Sequence, residues 1–489
     1  METRRLNESA DHRNHASSKL SSKTSFLSGR TIAYVIAVIA ILLVIFTARS
    51  LIVIISWKST RPVVAQAPET STTISNLQII SQNNSINESA DQVSFVEDSL
   101  RLLEMTLNRS VDPCENFYNF ACDKINKWPE WLPIRQKMIE NVDDYLKQIL
   151  EKSDDDDDGQ QQQLSILTAT LQKARFFYRT CLENEVSKEL CLPYTRDYFE
   201  FPLAHAVLDH FQLLNQSEDI CQLVKQSLID TINENVEISI MNKSKMIHRL
   251  SEVKIELGIV SEFVDKQNVA RLYDQVNLAG KSYQEMNYQF DQVLNEKRTF
   301  QDSFYPYAVY LADENVVFLP PVLLKYANFN WSDPFNYGSF GSVVGGKLSE
   351  VFTAKELRKW WSVGFKYFLQ GAKGWSQFPN LLNQQFQCLA DQLGMESVNK
   401  GAAFADQSAL KIAFRALGDK IGQDTLERFP FENLNLTNQQ IFFIAFSHSK
   451  CSREESSMLN TLKNSIEFSQ AFNCSIGTPM NPVEKCQIW

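Results

Sequence analysis

Most of the chain beyond residue 170 has the pattern of amphipathic helices. Apolar residues recur three or four positions apart, which is the spacing of one buried helix face. The stretch from Ala308 to Leu319 differs, because it is rich in β-formers and ends at Pro320 and Pro321, so it is predicted as one or two strands. The fold class predicted is mainly α with a small β element. The predicted helices span 174–184, 221–232, 243–259, 283–296, 357–369, 408–417 and 439–446.

A continuous apolar run near the start of the chain predicts a membrane-spanning helix over 31–57. From Thr31 to Ala48 it carries no charge, and after Arg49 it continues as far as Trp57. Its length is near that of a single membrane span, and it is apolar on every face, which argues against a core helix. A cleaved signal peptide is disfavoured because the run begins about 30 residues into the chain and is long.

The charges before this run predict its orientation. Residues 1–30 contain six basic and three acidic side chains, so this segment is predicted to be a cytoplasmic tail. The part after the span is then extracellular, and the chain is predicted to be a single-pass type II protein of the plasma membrane. All nine cysteines lie beyond Arg61, which fits an oxidising compartment. Residues 58–93 are rich in Ser, Thr, Asn, Gln and Pro and are predicted to be a stalk.

Sequons and net charge agree with an extracellular glycoprotein. The net charge of -10 argues against a nucleic-acid partner, since phosphate binding relies on a basic surface. An eighth sequon, at Asn473, is left out because its middle residue is Cys474. The predicted glycosylation sites are Asn83, Asn87, Asn108, Asn215, Asn242, Asn330 and Asn435.

Motifs at both ends of the predicted extracellular part resemble the neprilysin and endothelin-converting-enzyme family of zinc metallopeptidases. The first is Asp112-Pro113-Cys114-Glu115-Asn116-Phe117-Tyr118 through Cys122, followed by Trp128. The last comprises Ala471-Phe472-Asn473-Cys474, Met480-Asn481-Pro482 and Cys486-Gln487-Ile488-Trp489. Gln387-Cys388, Ala405-Asp406 and the segment from Gln440 to Phe446 match between them. The resemblance implies a zincin-type, neprilysin-like ectodomain.

The same resemblance implies a disulfide map. It pairs Cys114 with Cys474, Cys122 with Cys451, and Cys388 with Cys486. The counterpart of Cys181 pairs with a distant cysteine in the family, for which Cys221 is the nearest candidate. Cys191 is then left over, either free and buried or linking two chains as a homodimer.

One part of the family's fold is missing from the sequence. Relatives carry a large helical lobe between positions corresponding to about 200 and 219, where this chain has almost nothing. The resemblance therefore implies a shortened N-terminal helical region over 94–218 and a C-terminal peptidase-like lobe over 219–489. A partner or a second copy could cover the surface that the lobe covers in relatives.

The residues needed for zinc chemistry are also replaced. The family's zinc helix carries His-Glu-x-x-His, with two imidazole ligands and a carboxylate that deprotonates the bound water. In the segment from Val343 to Phe352 these positions hold Gly346, Lys347 and Glu350. By alignment through Asp406, the third ligand, a glutamate, is Ala402. No catalytic or metal-binding residue, no zinc and no other cofactor is therefore expected.

Further observations on substrate-binding positions and histidines point the same way. The strand whose asparagine binds substrate in the family reads Tyr307-Ala308-Val309-Tyr310, and no arginine follows Arg453. Lys347 and Glu350 are predicted to form an ion pair on the helix surface. An additional hypothesis places the Lys347 ammonium in the vacated site, paired with Asp406. The ectodomain histidines, at 205, 210, 248 and 448, do not have the spacing of a helical ligand pair.

The resulting hypothesis is a catalytically inactive, neprilysin-like membrane glycoprotein. It would bind or regulate extracellular peptides or related membrane peptidases. One alternative is an active zinc endopeptidase that cleaves extracellular peptides. Another is a truncated family member that folds poorly, since loss of the helical lobe would expose core surface.

Overall fold

The computed structural model of the chain describes most of the predicted ectodomain. The residues described are 103–127, 134–152, 166–184, 187–294, 303–325, 327, 332–352, 384–385, 387–389, 391–392, 400–430, 435–451 and 455–489. They belong to a unit that clusters over Ser81–Trp489. The predicted tail, membrane span and stalk, and the helix predicted over 357–369, lie outside these ranges.

Helices make up most of the described structure. Several begin at a polar capping residue: Thr437 forms a capping box with Gln440, and Ser465 accepts a hydrogen bond from the Phe468 N–H group. Short 3-10 turns and a π-helical turn, Tyr337–Gly341, complete the set. The α-helices are α1 Phe117–Lys127, α2 Ile134–Glu151, α3 Thr168–Asn184, α4 Cys191–Tyr198, α5 Glu200–Phe211, α6 Leu214–Glu234, α7 Ile240–Ser251, α8 Lys266–Asp274, α9 Tyr283–Leu294, α10 Pro321–Leu324, α11 Asp333–Asn336, α12 Ser342–Glu350, α13 Lys400–Ile421, α14 Asn438–His448, α15 Glu455–Asn464 and α16 Ile466–Ala471.

One small sheet accompanies these helices. It consists of β1 Lys254–Leu257, β2 Val309–Leu311 and β3 Val316–Leu319, in the order β1-β3-β2. β3 runs parallel to β1, with Lys254 opposite Val316, and antiparallel to β2, with Val309 opposite Phe318. All four residues of β3 are buried, which explains why this central strand is apolar throughout. The strands predicted within 308–319 are confirmed.

The helix predicted over 243–259 is wrong in its second half. α7 ends at Ser251, and β1 follows over Lys254–Leu257. The apolar residues from Val253 to Ile259 alternate with others, which is the period of a strand. Gly258 ends the strand with a φ of 77°, a value that non-glycine residues rarely adopt. Pairing with a strand some 60 positions away decides the conformation of this segment.

The core is centred on α14, which is buried on all sides. A helix that is apolar around its whole circumference fits only inside a protein or a membrane. The π-helical turn packs against α14 at Gly338, where a Cβ atom would overlap the carbonyl oxygen of Phe442. Helix α13 packs beside α12, which contains Gly346, Lys347 and Glu350, and also beside α6 and α15.

Within the described ranges, no helix is long and apolar enough to cross a membrane.

Candidate functional site

Helix α12 carries Gly346, Lys347 and Glu350, and helix α13 carries Ala402; these are the four degenerate positions. The two helices pack directly against each other. A Cβ atom on Gly345 would lie 3.3 Å from both the Cα atom and the carbonyl oxygen of Ala409. One turn later, a hydrogen bond of 2.7 Å joins the hydroxyls of Ser349 and Ser408, which are both fully buried. The indole N–H of Trp489 donates to the same Ser408 hydroxyl. Small residues and this hydroxyl network therefore hold the two backbones in close contact.

The positions that correspond to the zinc ligands hold no cluster of metal donors. Gly346 is only partly buried, and a Cβ atom there would meet Ala409 at 3.6 Å. Lys347 and Glu350 form an ion pair, with 2.6 Å between Nζ and Oε1 and with side chains 26% and 32% exposed. This pair is confirmed as predicted. Ala402 lies on α13 and is exposed.

Asp406 is held by residues that the sequence did not point to. Its Oδ1 atom lies 2.9 Å from Lys450 Nζ, and its Oδ2 atom accepts a hydrogen bond of 2.8 Å from the Ser457 hydroxyl. The predicted pairing of Lys347 with Asp406 is therefore wrong. The physical reason is position. Glu350 is one helical turn from Lys347, whereas Asp406 is reached by Lys450, two residues beyond the end of α14, and by Ser457 on α15.

These residues do not fit a zinc ion. Zinc in proteins is held by imidazole, thiolate and carboxylate groups. Of the four positions, only Glu350 offers such a donor, and its carboxylate pairs with the Lys347 ammonium. A cation at this place would meet an ammonium where the family has a carboxylate base. Across the described ranges, no group of three or more His, Cys, Asp or Glu side chains could hold a metal ion.

The described histidines are occupied elsewhere. His205 is buried and hydrogen-bonds through Nε2 to the carbonyl oxygen of Phe263, and burial lowers its pKa. The His210 ring stacks on Tyr145 with 3.9 Å between centroids. His248 lies 3.5 Å from Glu252 on the surface of α7. Burial lowers the pKa of His448 to about 4, so this side chain is neutral at pH 7.

The counterpart of the substrate-binding strand is β2, at one edge of the sheet. Tyr307, in the place of the family's asparagine, lies just before this strand and contacts the ring of Tyr305. The Tyr310 hydroxyl donates to Asn315 at 2.9 Å, within the turn that joins β2 to β3. Neither tyrosine carries the amide group that receives a peptide backbone in the family.

Four disulfide bonds cross-link the described structure. Three join the pairs that the resemblance implies: Cys114 with Cys474, Cys122 with Cys451, and Cys388 with Cys486. The pairing of Cys181 with Cys221 is wrong, because Cys181 bonds to Cys191. Helix α3 ends at Asn184 and α4 begins at Cys191, so the chain turns back and places the two Cα atoms 5.7 Å apart.

The correction changes which cysteine is unpaired. Cys191, predicted to be left over, is in a bond, and the free thiol is that of Cys221 on α6. Cys221 is fully buried, and burial raises its pKa well above the usual range. A thiol in this place is an inert core residue. In this fold it does not offer a link between two chains.

The predicted glycosylation sites differ in their exposure. Asn215 and Asn435 are exposed, and Asn108 is partly buried with its amide nitrogen bonded to Asp123. Asn242 is only 4% exposed within α7, so the prediction of a glycan on it is corrected: this fold leaves no room for one. Asn83, Asn87 and Asn330 lie outside the residues that the structure describes.

Known proteins resemble part of this chain. Residues 307–488, which include β2, α12, α13 and the C-terminal segment, match Peptidase family M13. This match supports the resemblance to the neprilysin and endothelin-converting-enzyme family. Neprilysin-3 of Drosophila melanogaster is 23% identical over 320 residues, covering 54% of this chain and 39% of that protein. Endothelin-converting enzyme 1 of Bos taurus is 29% identical over 218 residues, covering 37% of this chain and 27% of the enzyme.

The chain therefore matches well under half of the length of these relatives. A solved structure of similar fold is the "Haemonchus galactose containing glycoprotein complex", with a TM-score of 0.56 at 13% identity. The match covers 84% of this chain and 100% of that chain. At this identity, the likeness supports the mainly helical fold and no conclusion about activity.

Some contacts around the former site could not be predicted from the sequence. Lys450 and Ser457 are 44 and 51 positions from Asp406, and a single sequence gives no reason to pair them. The contact between Ser349 and Ser408 spans 59 positions. The run of small residues around Gly345 and Ala405 was visible, and it indicates close approach of two helices.

Proposed function

We propose that the chain is a catalytically inactive pseudo-peptidase of the M13 family with a binding or regulatory role toward extracellular peptides or related membrane peptidases. The observation that carries the proposal is the lack of zinc-binding side chains at the positions where the family has its ligands and base. Gly346, Lys347 and Ala402 offer no oxygen, nitrogen or sulfur ligand suited to zinc, and Glu350 pairs with Lys347. Without a metal-bound water, the family's hydrolytic step has neither a nucleophile nor a base.

The preserved scaffold supports a binding role over loss of all function. Three disulfide bonds join the opening of the ectodomain and its middle to the C-terminal segment. The core around α14 is closely packed, and the ion pair of Asp406 with Lys450 stands beside the former site. A stable extracellular surface of this kind can recognise a partner without chemistry.

The location in the proposal rests on the sequence. The apolar run over 31–57 and the basic excess before it favour a type II anchor in the plasma membrane, with residues after 57 outside the cell. The exposed sequons at Asn215 and Asn435 fit glycosylation in the secretory pathway. On this proposal, the chain faces the same extracellular peptides as active membrane-bound relatives.

Metal analysis and a peptidase assay test the proposal together. The full chain, purified from a secretory-pathway host in detergent, is expected to contain no stoichiometric zinc and to leave a mixture of peptides uncleaved. An active M13 peptidase assayed in parallel shows that the assay works. Stoichiometric zinc together with peptide cleavage that a chelator abolishes would contradict the proposal and favour an active endopeptidase.

A variant with the ligand set restored is the matched control. It carries Gly346→His, Lys347→Glu, Glu350→His and Ala402→Glu. The Cβ position of Gly346 has no neighbour nearer than 3.6 Å, so the first substitution meets no backbone clash at that atom. Zinc retained by this variant and absent from the natural chain would show that these four positions decide metal binding. Pull-down of related membrane peptidases with the natural chain then tests the regulatory role.

A further inference from the structure

A cleft beside α13 lies apart from the former zinc site. It has a volume of about 580 Å³ and lies between the end of α6 with its following loop, the middle of α13, and the C-terminal segment. This volume is within the range of small-ligand sites, roughly 300 to 1,000 Å³. Gly346, Lys347, Glu350 and Ala402 do not line it. We call it the α13 cleft.

Trp489 separates the α13 cleft from the former zinc site. Its ring lines the cleft and packs edge-on against Phe352 and Phe404, with centroid distances of 5.9 and 5.4 Å. The indole N–H group is bonded to Ser408, inside the contact of α12 with α13. The cleft therefore has a fixed aromatic wall that is anchored in the core.

The two basic residues of the cleft are already bound by the chain itself. Arg415 donates to both carboxylate oxygens of Glu234, at 2.5 and 2.7 Å. Lys411 Nζ donates to the main-chain oxygen of Trp489 at 2.9 Å and to that of Ile488 at 3.4 Å. Neither cation is directed toward a ligand, so the cleft is not suited to an anion.

Two carboxylates of the cleft form no salt bridge among the residues that the structure describes. Glu237 is exposed, and Glu467 accepts a hydrogen bond from the Ser465 hydroxyl. Neither is in an ion pair with a basic side chain among the described residues. A positively charged group entering the cleft would therefore meet two carboxylates, that of Glu237 on the surface and that of Glu467, which also lies in the field of the Lys485 ammonium.

Apolar groups stand next to these carboxylates. Val236 is 95% exposed, although the loop that presents it is ordered by Asn235, whose Oδ1 atom accepts from the N–H groups of Glu237 and Ile238. Phe414 and Trp489 offer partly exposed aromatic surface from the other walls. An apolar side chain held in solvent at the rim of a cleft favours an apolar contact with a ligand.

We propose that the α13 cleft binds an extended peptide segment in which a basic side chain stands next to apolar ones, and that the peptide is not cleaved there. The basic group would lie near Glu237 and Glu467, and the apolar groups against Val236, Phe414 and Trp489. Side-chain amides that line the cleft, those of Asn235 and Gln487 among them, offer donors and acceptors to a peptide main chain. This inference deepens the proposed binding role and rests on it.

Titration of the full chain with labelled peptides tests the inference. The probes are acetyl-Leu-Arg-Phe-Lys-Leu-amide and its charge-reversed counterpart acetyl-Leu-Glu-Phe-Glu-Leu-amide, measured by fluorescence anisotropy. The basic peptide is expected to bind saturably, the acidic peptide to bind at least about tenfold more weakly, and the affinity for the basic peptide to fall with added salt. Equal binding of both peptides, or no saturable binding of the basic one, would overturn the inference.

Matched charge reversals locate the site. Glu237→Lys is expected to weaken binding of the basic peptide about tenfold, and Val236→Ser to weaken it by roughly threefold. Glu314→Lys reverses an exposed charge in the β2–β3 turn, outside the cleft, and is expected to leave the affinity unchanged. Glu237 and Val236 are on the surface, so neither change threatens the core. Equal affinities for Glu237→Lys and Glu314→Lys would place the binding elsewhere and refute the inference.

The outcome of this experiment can be separated from that of the proposed function. Mass spectrometry of the basic peptide after incubation is expected to recover it uncleaved. Cleavage that a chelator abolishes would contradict the inactive pseudo-peptidase, whatever the cleft binds. If the peptide does not bind, and zinc and cleavage are also absent, only the inference about the α13 cleft is refuted. The proposal of an inactive pseudo-peptidase then stands.

Discussion

Asp406 shows how a side chain at a family position can have partners other than those that the family gives it. In the family, this aspartate orients a zinc ligand, and here no imidazole is present for it to orient. Its carboxylate instead pairs with Lys450 and accepts a hydrogen bond from Ser457. Because Ser457 lies on α15 and Lys450 lies two residues beyond the end of α14, Asp406 links α13 to α15 and to the segment that follows α14. At the scale of single residues, a retained polar group is thus weak evidence for retained chemistry.

Gly338 offers a test of the close approach between the π-helical turn and α14. A Cβ atom there would overlap the Phe442 carbonyl oxygen and lie 3.0 Å from the Ala445 Cβ atom. Both neighbours belong to a buried helix that cannot move without disturbing the core. Gly338→Ala is therefore expected to reduce the free energy of unfolding by about 1–3 kcal/mol. Urea denaturation monitored by circular dichroism measures this loss of stability.

Gly346→Ala is the matched control for that substitution. Its Cβ atom would meet nothing nearer than 3.6 Å, and α12 is helical at this position. An alanine in a helix is favoured over glycine by roughly 0.5–1 kcal/mol, so this variant is expected to be as stable as the natural chain or more stable. Equal losses in the two variants would mean that the helix contact at Gly338 is not the cause.

At the scale of secondary-structure elements, sequence periodicity predicted the helices whose conformation depends on local contacts. The helices around 174–184, 221–232 and 439–446 were predictable because each carries its apolar residues at helical spacing. Strand β1 was wrongly predicted as helix. Its conformation depends on pairing with β3, and a local pattern does not reveal that pairing. The degenerate positions of the site could be located through flanking motifs. Their new partners could not, since Lys450 and Ser457 come from distant segments.

Helix α14 is tied to the opening segment of the ectodomain through His448. Its Nε2–H group donates to the Ala121 carbonyl oxygen at 3.2 Å and lies 3.3 Å from the Thr106 hydroxyl. The Nδ1 atom is buried without a hydrogen-bond partner in the described structure. Protonation at Nδ1 would place an uncompensated charge in the core, which is why burial lowers the pKa of His448 to about 4.

This lowered pKa predicts a loss of stability in mild acid. The unfolded chain takes up the proton near pH 6.5, whereas the folded chain does so near pH 4, so the unfolded state binds more protons between these values. The contribution of His448 is fully present above pH 6.5 and is lost as the pH falls toward 4. From pH 7 to pH 5 the loss is about 2 kcal/mol. Urea denaturation at a series of pH values measures it.

His448→Gln separates this residue from other titrating groups. Glutamine can still donate one hydrogen bond but takes up no proton, so the variant is expected to be less stable at pH 7 and to lose less stability on acidification. The difference between the two pH profiles isolates the histidine. Parallel profiles for the natural chain and the variant would show that another group causes the acid sensitivity.

At the scale of the whole molecule, disulfide bonds connect parts of the chain that are far apart in sequence. Cys114 and Cys474 are 360 positions apart and Cys122 and Cys451 are 329 apart, so α1 and the segment just before it are each bonded to the C-terminal part. The main-chain N–H group of Met480 also donates to the Cys114 carbonyl oxygen. The remaining free cysteine is buried in α6. The first and last described segments are therefore covalently joined.

The four bonds are expected to differ in their contributions because the loops that they close differ. In the chain-entropy description, a loop of 360 residues contributes about 6 kcal/mol and one of 10 residues about 3 kcal/mol, since the longer loop restricts the unfolded chain more. Replacing both Cys114 and Cys474 by alanine is thus expected to lower the melting temperature and the secreted yield more than the same change at Cys181 and Cys191. Differential scanning calorimetry and secretion assays on the two double variants compare them. If the Cys181–Cys191 variant were the less stable, the local turn between α3 and α4 would matter more than the closure of the ectodomain, and the long-range bonds would act mainly on the native state.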